Sequence, residues 1–567
     1  MRNQRMQNKA GKRHGGKARG FLTALGRDVR GNTLAIVAAA LIPLTAMIGS
    51  GLDLSVAYMA QDRLQQACDA GVLAARKLLS GAILTDPVKD EANKYFNFNF
   101  PQGSFQTAQF TPQVTVPKLG TVRMTAKTTV PTSIMKIFGF KQLDIDADCA
   151  STQDFISTDV MLVVDMSGSM NCAPGVGGSC GNREASNSKM SALRSAATSL
   201  YDTLETAQNQ LHDNQLRLRY GFMPYNATVN VGKLVYAKNP DYIRKSNPYQ
   251  TRKLNNSKIS AEQNCRGNGQ EFIAWITYGG TTYGSCSEWT WNQFTLDTTD
   301  YAAGNAVPTP TQLSGTSTWD GCIEMRETNN KDIDGGSATI APADAYDLDI
   351  DLIPHDDDTR WAPWWPEVEM NRGSSSQITG NSDCASQASR LTEYYNNKKG
   401  FTDYLAGLHP QGSTYHDIGM IWGARFLSQD GIFKSATPET NDQFDPDNPK
   451  KIRGFQVRKY LIFMTDGEMA PTMGGYSSYG VENYDKRVTR NASNQKARHL
   501  QRFRMACNAA KSEGIEVWVI AFATNLTDDM KNCASTPDKA AGINNSADLI
   551  KKFQEIGSKI GALRLSE

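Results

Sequence analysis

The chain has ten cysteines but no C-x-x-C pair. Zinc ribbons and thioredoxin-like redox chemistry are therefore unsupported. It lacks the phosphate-binding pattern G-x-x-x-x-G-K-[ST], so nothing marks a nucleotide-hydrolysing loop. It also lacks a strong overall charge: 60 Lys and Arg stand against 58 Asp and Glu in 567 residues. The balance is uneven along the chain. Residues 1–32 hold nine basic residues and one acid, Asp28, which leaves 51 basic and 57 acidic residues, a net of −6, in the rest. That mildly acidic bulk argues against nucleic acid as the main partner. At this length, two to four domains are expected.

One stretch organises what is present. Val160 to Val164 is an apolar, β-branched run that reads as a buried strand. It leads into Asp165-Met166-Ser167-Gly168-Ser169. A helical pattern follows, with Met190, Leu193, Ala197, Leu200 and Leu204 spaced by three or four. A carboxylate and two hydroxyls are hard oxygen donors, which suit Mg2+, Mn2+ or Ca2+. Open α/β sheets carry their ligand sites at such strand ends. Taken alone, the five letters D-x-S-x-S also fit a turn bonded to its own backbone. Two later stretches change the balance. Gly412-Ser413-Thr414 is a glycine-containing loop before a helical pattern, and Tyr460 to Met464 is a second buried strand, ending in Thr465-Asp466-Gly467-Glu468.

This constellation resembles the von Willebrand factor A domain and its metal-ion-dependent adhesion site, D-x-S-x-S with a distant Thr and a distant Asp. The resemblance implies a doubly wound, Rossmann-like α/β domain. It selects Asp165, Ser167, Ser169, Thr414 and Asp466 as the metal site. It implies that Ser167, Ser169 and Thr414 ligate a divalent cation, Mg2+ or Mn2+ with Ca2+ as a third option. Asp165 and Asp466 would act mainly through water or indirect contacts. One coordination position would be left for an acidic group of a partner protein.

Thr33 to Leu52 carries no charge. Twenty helical residues span roughly 30 Å, one bilayer core. The preceding basic residues place the N-terminus in the cytoplasm. A cleaved signal peptide is the rival reading, with Ala57-Tyr58-Met59-Ala60 as its cleavage site. An uncleaved anchor is favoured because a helical face continues beyond it through Leu64, Cys68, Val72, Ala75 and Leu79. Arg30-Gly-Asn-Thr-Leu-Ala-Ile-Val, Gly51-Leu-Asp-Leu-Ser-Val-Ala-Tyr58 and Leu64-Gln-Gln-Ala-Cys-Asp-Ala-Gly resemble the anchor of Tad (Flp) pilus assembly proteins. Related pseudopilins cut by prepilin peptidase carry a Glu a few residues after the Gly. No Glu follows Gly31 at that distance, which agrees with an uncleaved anchor. A Tad-type anchor joined to a von Willebrand A domain is the arrangement of TadG-like proteins.

The expected organisation has four parts: a basic tail at 1–32, an anchor and helical extension at 33–80, a β-rich stalk module at 81–155, and the A domain at 156–567. Loop and short helix are expected over 81–97. Strands are expected at Thr115-Val116, Thr121–Thr125, Thr128–Val130, Leu143–Ala147, Leu216–Met223, Val229–Val235 and Ile515–Ala523. Helices are expected at about 492–513 and 547–560, and a surface loop at 430–456. An insertion at about 236–396 interrupts the A domain and holds seven of the nine tryptophans. Disordered segments are poor in aromatics, so a folded, disulfide-braced insertion is expected, either overhanging the metal site or packed elsewhere. Within it, Asp347 to Leu352 alternates like a half-exposed strand, Asp332 and Asp334 only partly match a calcium loop, and Asp356–Asp358 reads as a solvated turn. Nearest-neighbour pairing would join Cys172–Cys180, Cys265–Cys286, Cys322–Cys384 and Cys507–Cys533, leaving Cys68–Cys149.

Catalysis is poorly supported. Ser167 has no Gly two residues before it. His416 and Asp417 are adjacent, so they diverge on a helix and form no ordinary relay. The resulting expectation is a non-enzymatic, membrane-anchored, metal-dependent protein-binding component of Tad/Flp pilus assembly or secretion machinery. It would cross the bacterial inner membrane once, with its C-terminal domain periplasmic or exported. The alternatives are a surface adhesin for an extracellular protein and a metal-dependent envelope hydrolase.

Overall fold

The computed structural model describes residues 32–79, 84–118, 120–152, 156–178, 180–181, 183–259, 271–278, 281–309, 315–329, 340–369 and 384–562. The chain divides into two compact units, one ending at Thr152 and one starting at Gln153.

The first unit begins with a helix of 47 residues, α1 (Asn32–Leu78), which includes Pro43. Its first half exposes Ile36, Val37, Leu41, Ile42, Met47 and Ile48. In its second half a single stripe is buried: Asp53, Ala57, Ala60, Leu64, Cys68, Val72 and Ala75. Steps of three and four keep these residues on one face. That face packs on α2 (Asp86–Asn99) and on an antiparallel sheet of β1 (Gln113–Lys118), β2 (Thr121–Pro131) and β3 (Gln142–Thr152), in that order. Met124, Ala126 and Val130 of β2 and Ile145, Ala147 and Cys149 of β3 point inward and alternate with exposed residues. A Cys68–Cys149 disulfide joins helix to sheet. Two expectations are corrected here. Thr121–Thr125 and Thr128–Val130 are one strand, because the alternation continues through Lys127. The short helix runs 14 residues, started by Pro87 in its first turn, where the missing N–H costs nothing.

The second unit is built on a parallel sheet. In spatial order its strands are β9 (Ser389–Thr392), β5 (Leu218–Tyr225), β4 (Ser157–Asp165), β10 (Phe455–Thr465), β11 (Ile515–Phe522) and β12 (Ala540–Ile543). These pair in parallel with one another except β9, an antiparallel edge, and a short strand, Lys451–Ile452, pairs antiparallel with the start of β10. Every residue of β4 and β5 is buried, as strands covered on both faces require. Helices α3 (Lys189–Asp213) and α8 (Ser546–Ala562) pack together. Helices α6 (His416–Leu427) and α7 (Gln495–Ser512) pack together and share a core with the sheet. This is the doubly wound α/β arrangement that the von Willebrand A resemblance implies.

The insertion is folded. Ser246–Ile259, Thr281–Asp297 and Glu271–Tyr278 form an antiparallel sheet in that order. Trp319, Trp361, Trp364 and Trp365 are buried, and the Trp361 ring lies 5.0 Å from that of Trp422 on α6. The side chains of Trp275, Trp289 and Trp291 lie outside the described residues, as do Cys265, Asp332 and Asp334. Disulfides close Cys172–Cys180, Cys322–Cys384 and Cys507–Cys533.

Three further readings are corrected. Val229–Val235 is not a strand: Val229 and Val231 are buried in a connecting loop, and a helix, Gly232–Lys238, follows. Gly232 fits there because a Cβ would lie 2.2 Å from the Trp319 ring. Asp347 to Leu352 forms turns, with Asp347 fully buried against Arg502. The 430–456 segment is not only surface loop: Ile432, Phe433 and Ile452 are buried, and Arg217 reaches the carbonyls of Gln443 and Asp447 at 3.1 and 3.0 Å.

Candidate functional site

Register brings the site together. β4 and β10 pair in parallel with Met464 opposite Val164, so Thr465-Asp466 ends beside Asp165. Chain order reverses between these strands, because β5 follows β4 on one side and β11 follows β10 on the other. A crevice at the strands' carboxyl ends belongs at that switch point.

Each group there is fixed by local chemistry. Asp165 Oδ1 accepts the Ser167 backbone N–H at 2.8 Å, which turns the chain sharply after the strand. Asp165 Oδ2 accepts the Thr465 hydroxyl at 2.7 Å. The Ser167 and Ser169 hydroxyls lie 3.0 Å apart, and Ser169 donates to Asp466 Oδ1 at 2.9 Å. The third loop docks on the first: Gln411 N–H donates to Met166 O at 2.7 Å, and Gly168 N–H donates to Gly412 O at 3.0 Å. Gly412 sits at φ +79°, and a Cβ built there would stand 3.0 Å from Asn226 Nδ2, a position that favours glycine. The loop delivers Thr414. A Cβ built on Gly467 would stand 3.8 Å from Thr414 Oγ1 and 3.9 Å from Ser169 Oγ, so both hydroxyls flank the same point. Asp165, Ser167, Ser169, Thr414 and Asp466 are thus gathered from three loops that lie between positions 165 and 466 of the sequence.

The electrostatics of the site are strained. Burial pushes the Asp165 carboxyl up to about 7, and the nearby Asp466 charge pushes in the same direction. A buried cation answers part of this. Lys189 Nζ donates to Asp466 Oδ2 at 2.8 Å, and both side chains are almost wholly inaccessible. Sequence reasoning missed Lys189. The signal was its position: Ser188 caps α3, so Lys189 opens the helix, where the dipole disfavours a cation. A lysine there marks an anion nearby. Thr465 was also missed as a partner. It is buried, bridges Asp165 to His416 Nε2 at 3.0 Å, and is hidden in sequence by ending an apolar strand.

Among the described residues, no cluster of three or more His, Cys, Asp and Glu could hold a metal. A cation here would therefore lean on hydroxyls. Three hydroxyls and two carboxylates, one already neutralised by Lys189, fit a hard divalent ion and would relieve the Asp165–Asp466 repulsion. Asp417 turns away from this set to His499 at 2.7 Å, so His416 and Asp417 serve separate partners.

The insertion borders the site. Gln411 Nε2 donates to Cys384 O at 2.9 Å, and Thr228 Oγ1 accepts the Ala385 N–H at 3.0 Å. The Cys322–Cys384 disulfide therefore braces the chain directly behind the Thr414 loop.

Comparison with known proteins gives likenesses at two levels. Among solved structures, the chain is similar to the SpaC pilus adhesin of Lactobacillus rhamnosus GG. The TM-score is 0.31 at 11% identity, over 78% of this chain and 33% of that one. It is similar to the PilB minor pilin of Streptococcus sanguinis, at 0.28 and 11%, over 78% and 75%. It is also similar to the von Willebrand domain of the type V pili tip protein Mfa5 of Porphyromonas gingivalis, at 0.28 and 10%, over 74% and 98%. The chain spans about a third of the length of the Lactobacillus adhesin. No curated protein matches it. Residues 31–77 match the Tad family of Flp pilus-assembly TadE/G-like proteins. The apolar helix that opens the first unit is thus the stretch that is similar to Flp pilus-assembly TadE/G-like proteins.

Proposed function

We propose that this protein is a membrane-anchored, metal-dependent protein-binding component of Tad/Flp pilus assembly or secretion machinery. The observation that carries the reading is the convergence of the Ser167, Ser169 and Thr414 hydroxyls with Asp165 and Asp466 in a chain that opens with a TadE/G-like helix. Those five residues would hold Mg2+ or Mn2+, and the ion would supply a Lewis-acidic position for a partner's carboxylate. The chain's own residues prepare that position. Asp165 fixes the Ser167 turn and the Gly412 loop sets Thr414, while Lys189 holds Asp466 as long as no ion is bound. Residues 33–52 would cross the inner membrane with the basic tail on the cytoplasmic side. The role is adhesion rather than turnover.

The test is a pull-down from envelope extracts with the full-length protein as bait, in Mg2+ and in EDTA, beside Asp165→Ala. A pilus or secretion component retained only by wild type in Mg2+ is expected. Identical partners under all conditions would refute metal-gated binding. Retention of a surface receptor alone would favour a surface adhesin.

A further inference from the structure

The turn between β2 and β3 carries an apolar cluster that the protein interior does not use. Ile137 is 76% exposed, Phe140 60% and Phe138 40%. Ile137 and Phe138 lie in a short helical turn, Met135–Phe138, and Phe140 follows it, with Lys136 and Lys141 alongside, also exposed. The placement of this turn is specific. Asp53 of α1 accepts the backbone N–H groups of Ser133, Ile134 and Met135 at 2.8, 2.9 and 2.7 Å. Ile134 lies against Gly49, where a Cβ would stand 2.2 Å from Ile134 Cγ2. A carboxylate that accepts three N–H groups from one turn, and a glycine that lets the turn close in, together clamp it to α1.

Asp53 is the first charge after the uncharged run from Thr33 to Leu52. From Gly49 to Asp53 the helix rises about 6 Å. The clamped turn thus lies level with the last turn of the apolar span, where hydrocarbon gives way to headgroups if α1 crosses a bilayer. Aromatic and aliphatic side chains flanked by lysines suit that boundary: the rings enter the acyl region and the ammonium groups reach the headgroups.

We propose that residues 134–141 form a second membrane contact, an interfacial foot that inserts Ile137, Phe138 and Phe140 into the leaflet from which α1 emerges. The proposal rests on the membrane-anchor reading of α1. The foot and α1 meet the bilayer at two points, which fixes the tilt and rotation of the first unit on the membrane.

The experiment reconstitutes the full-length protein into phosphatidylcholine and phosphatidylglycerol vesicles. A trace lipid carries a photoactivatable diazirine in its acyl chain. Adducts are mapped by mass spectrometry after irradiation. Adducts are expected in 33–52 and again in 134–140. Ile137→Asp with Phe140→Asp should cut the loop adducts by at least about fivefold and spare those on α1, because an acid is costly in hydrocarbon. Labelled α1 with an unlabelled loop would overturn the foot alone and leave the turn as a protein-facing or solvent-facing surface. Loop adducts unchanged by the two aspartates would overturn it too. If α1 is also unlabelled, the anchor reading fails and takes the foot with it.

Discussion

Lys189 and Asp466 pair at 2.8 Å with almost no solvent access, a few ångströms from the hydroxyls proposed to bind a cation. A tethered ammonium and a divalent ion repel each other strongly at low dielectric. Lys189 would thus stabilise the metal-free site and oppose entry of the proposed ion. Lys189→Met is expected to tighten Mn2+ binding by at least about tenfold in calorimetry. Unchanged or weaker affinity would show that the lysine positions Asp466 and does no more. A second prediction concerns pH. Burial lowers the His416 imidazole to about 4 from its ordinary 6.5. The folded state keeps it neutral, and the unfolded state takes the proton first as pH falls. Its contribution is therefore present above pH 6.5 and lost between 6.5 and 4, about 3 kcal/mol in all. Asp165 runs the other way: raised to about 7, its contribution is present below the ordinary carboxylate value and lost as pH rises to 7. In the wild type the two oppose each other across one window. In EDTA, urea melts of Asp165→Asn should lose roughly 3 kcal/mol from pH 7 to 4 relative to the double variant with His416→Gln. Parallel profiles would remove His416 from the account.

Between elements, buried polar links join the insertion to the helices of the parallel sheet. Arg502 of α7 pairs with Asp347 and bonds to Thr328, and Tyr479 reaches Asp347 at 3.2 Å. Arg502→Met would strand the Asp347 carboxylate without its cation. A loss of about 3–5 kcal/mol is expected. A chemical melt within 1 kcal/mol of wild type, on the order of an ordinary surface substitution, would contradict this. The same pair explains what could be read from sequence at this scale. Met190, Leu193, Ala197, Leu200 and Leu204 all proved buried on α3, because helix periodicity reports a single buried face. The Asp347–Leu352 alternation misled, because Asp347 is buried by an arginine some 155 positions away. Val229 and Val231 misled for a related reason: they are buried in the core that Trp319 and Trp361 of the insertion also join, without entering a ladder. Local pattern predicts burial well, and secondary structure less well where long-range partners do the burying.

In the whole molecule, the three loops of the site come from a single unit whose stability should respond to the ion. At a free Mg2+ concentration one hundredfold above its dissociation constant, the second unit should gain about 2.7 kcal/mol, and Asp165→Ala should abolish the gain. Equal melting temperatures in EDTA and in Mg2+ or Mn2+ would exclude tight binding by the unliganded protein. The sequence by itself determined the apolar helix, through its uncharged run, and its resemblance to the von Willebrand A domain pointed to the doubly wound sheet and to Asp165, Ser167, Ser169, Thr414 and Asp466 as the candidate site. Only the tertiary structure decided three other features. Lys189 neutralises Asp466, the Cys384 segment braces the Thr414 loop, and Asp53 clamps an apolar turn against α1. The reason is physical: charge neutralisation, loop bracing and surface exposure depend on distances in space, and here those distances join residues from 27 to 277 positions apart.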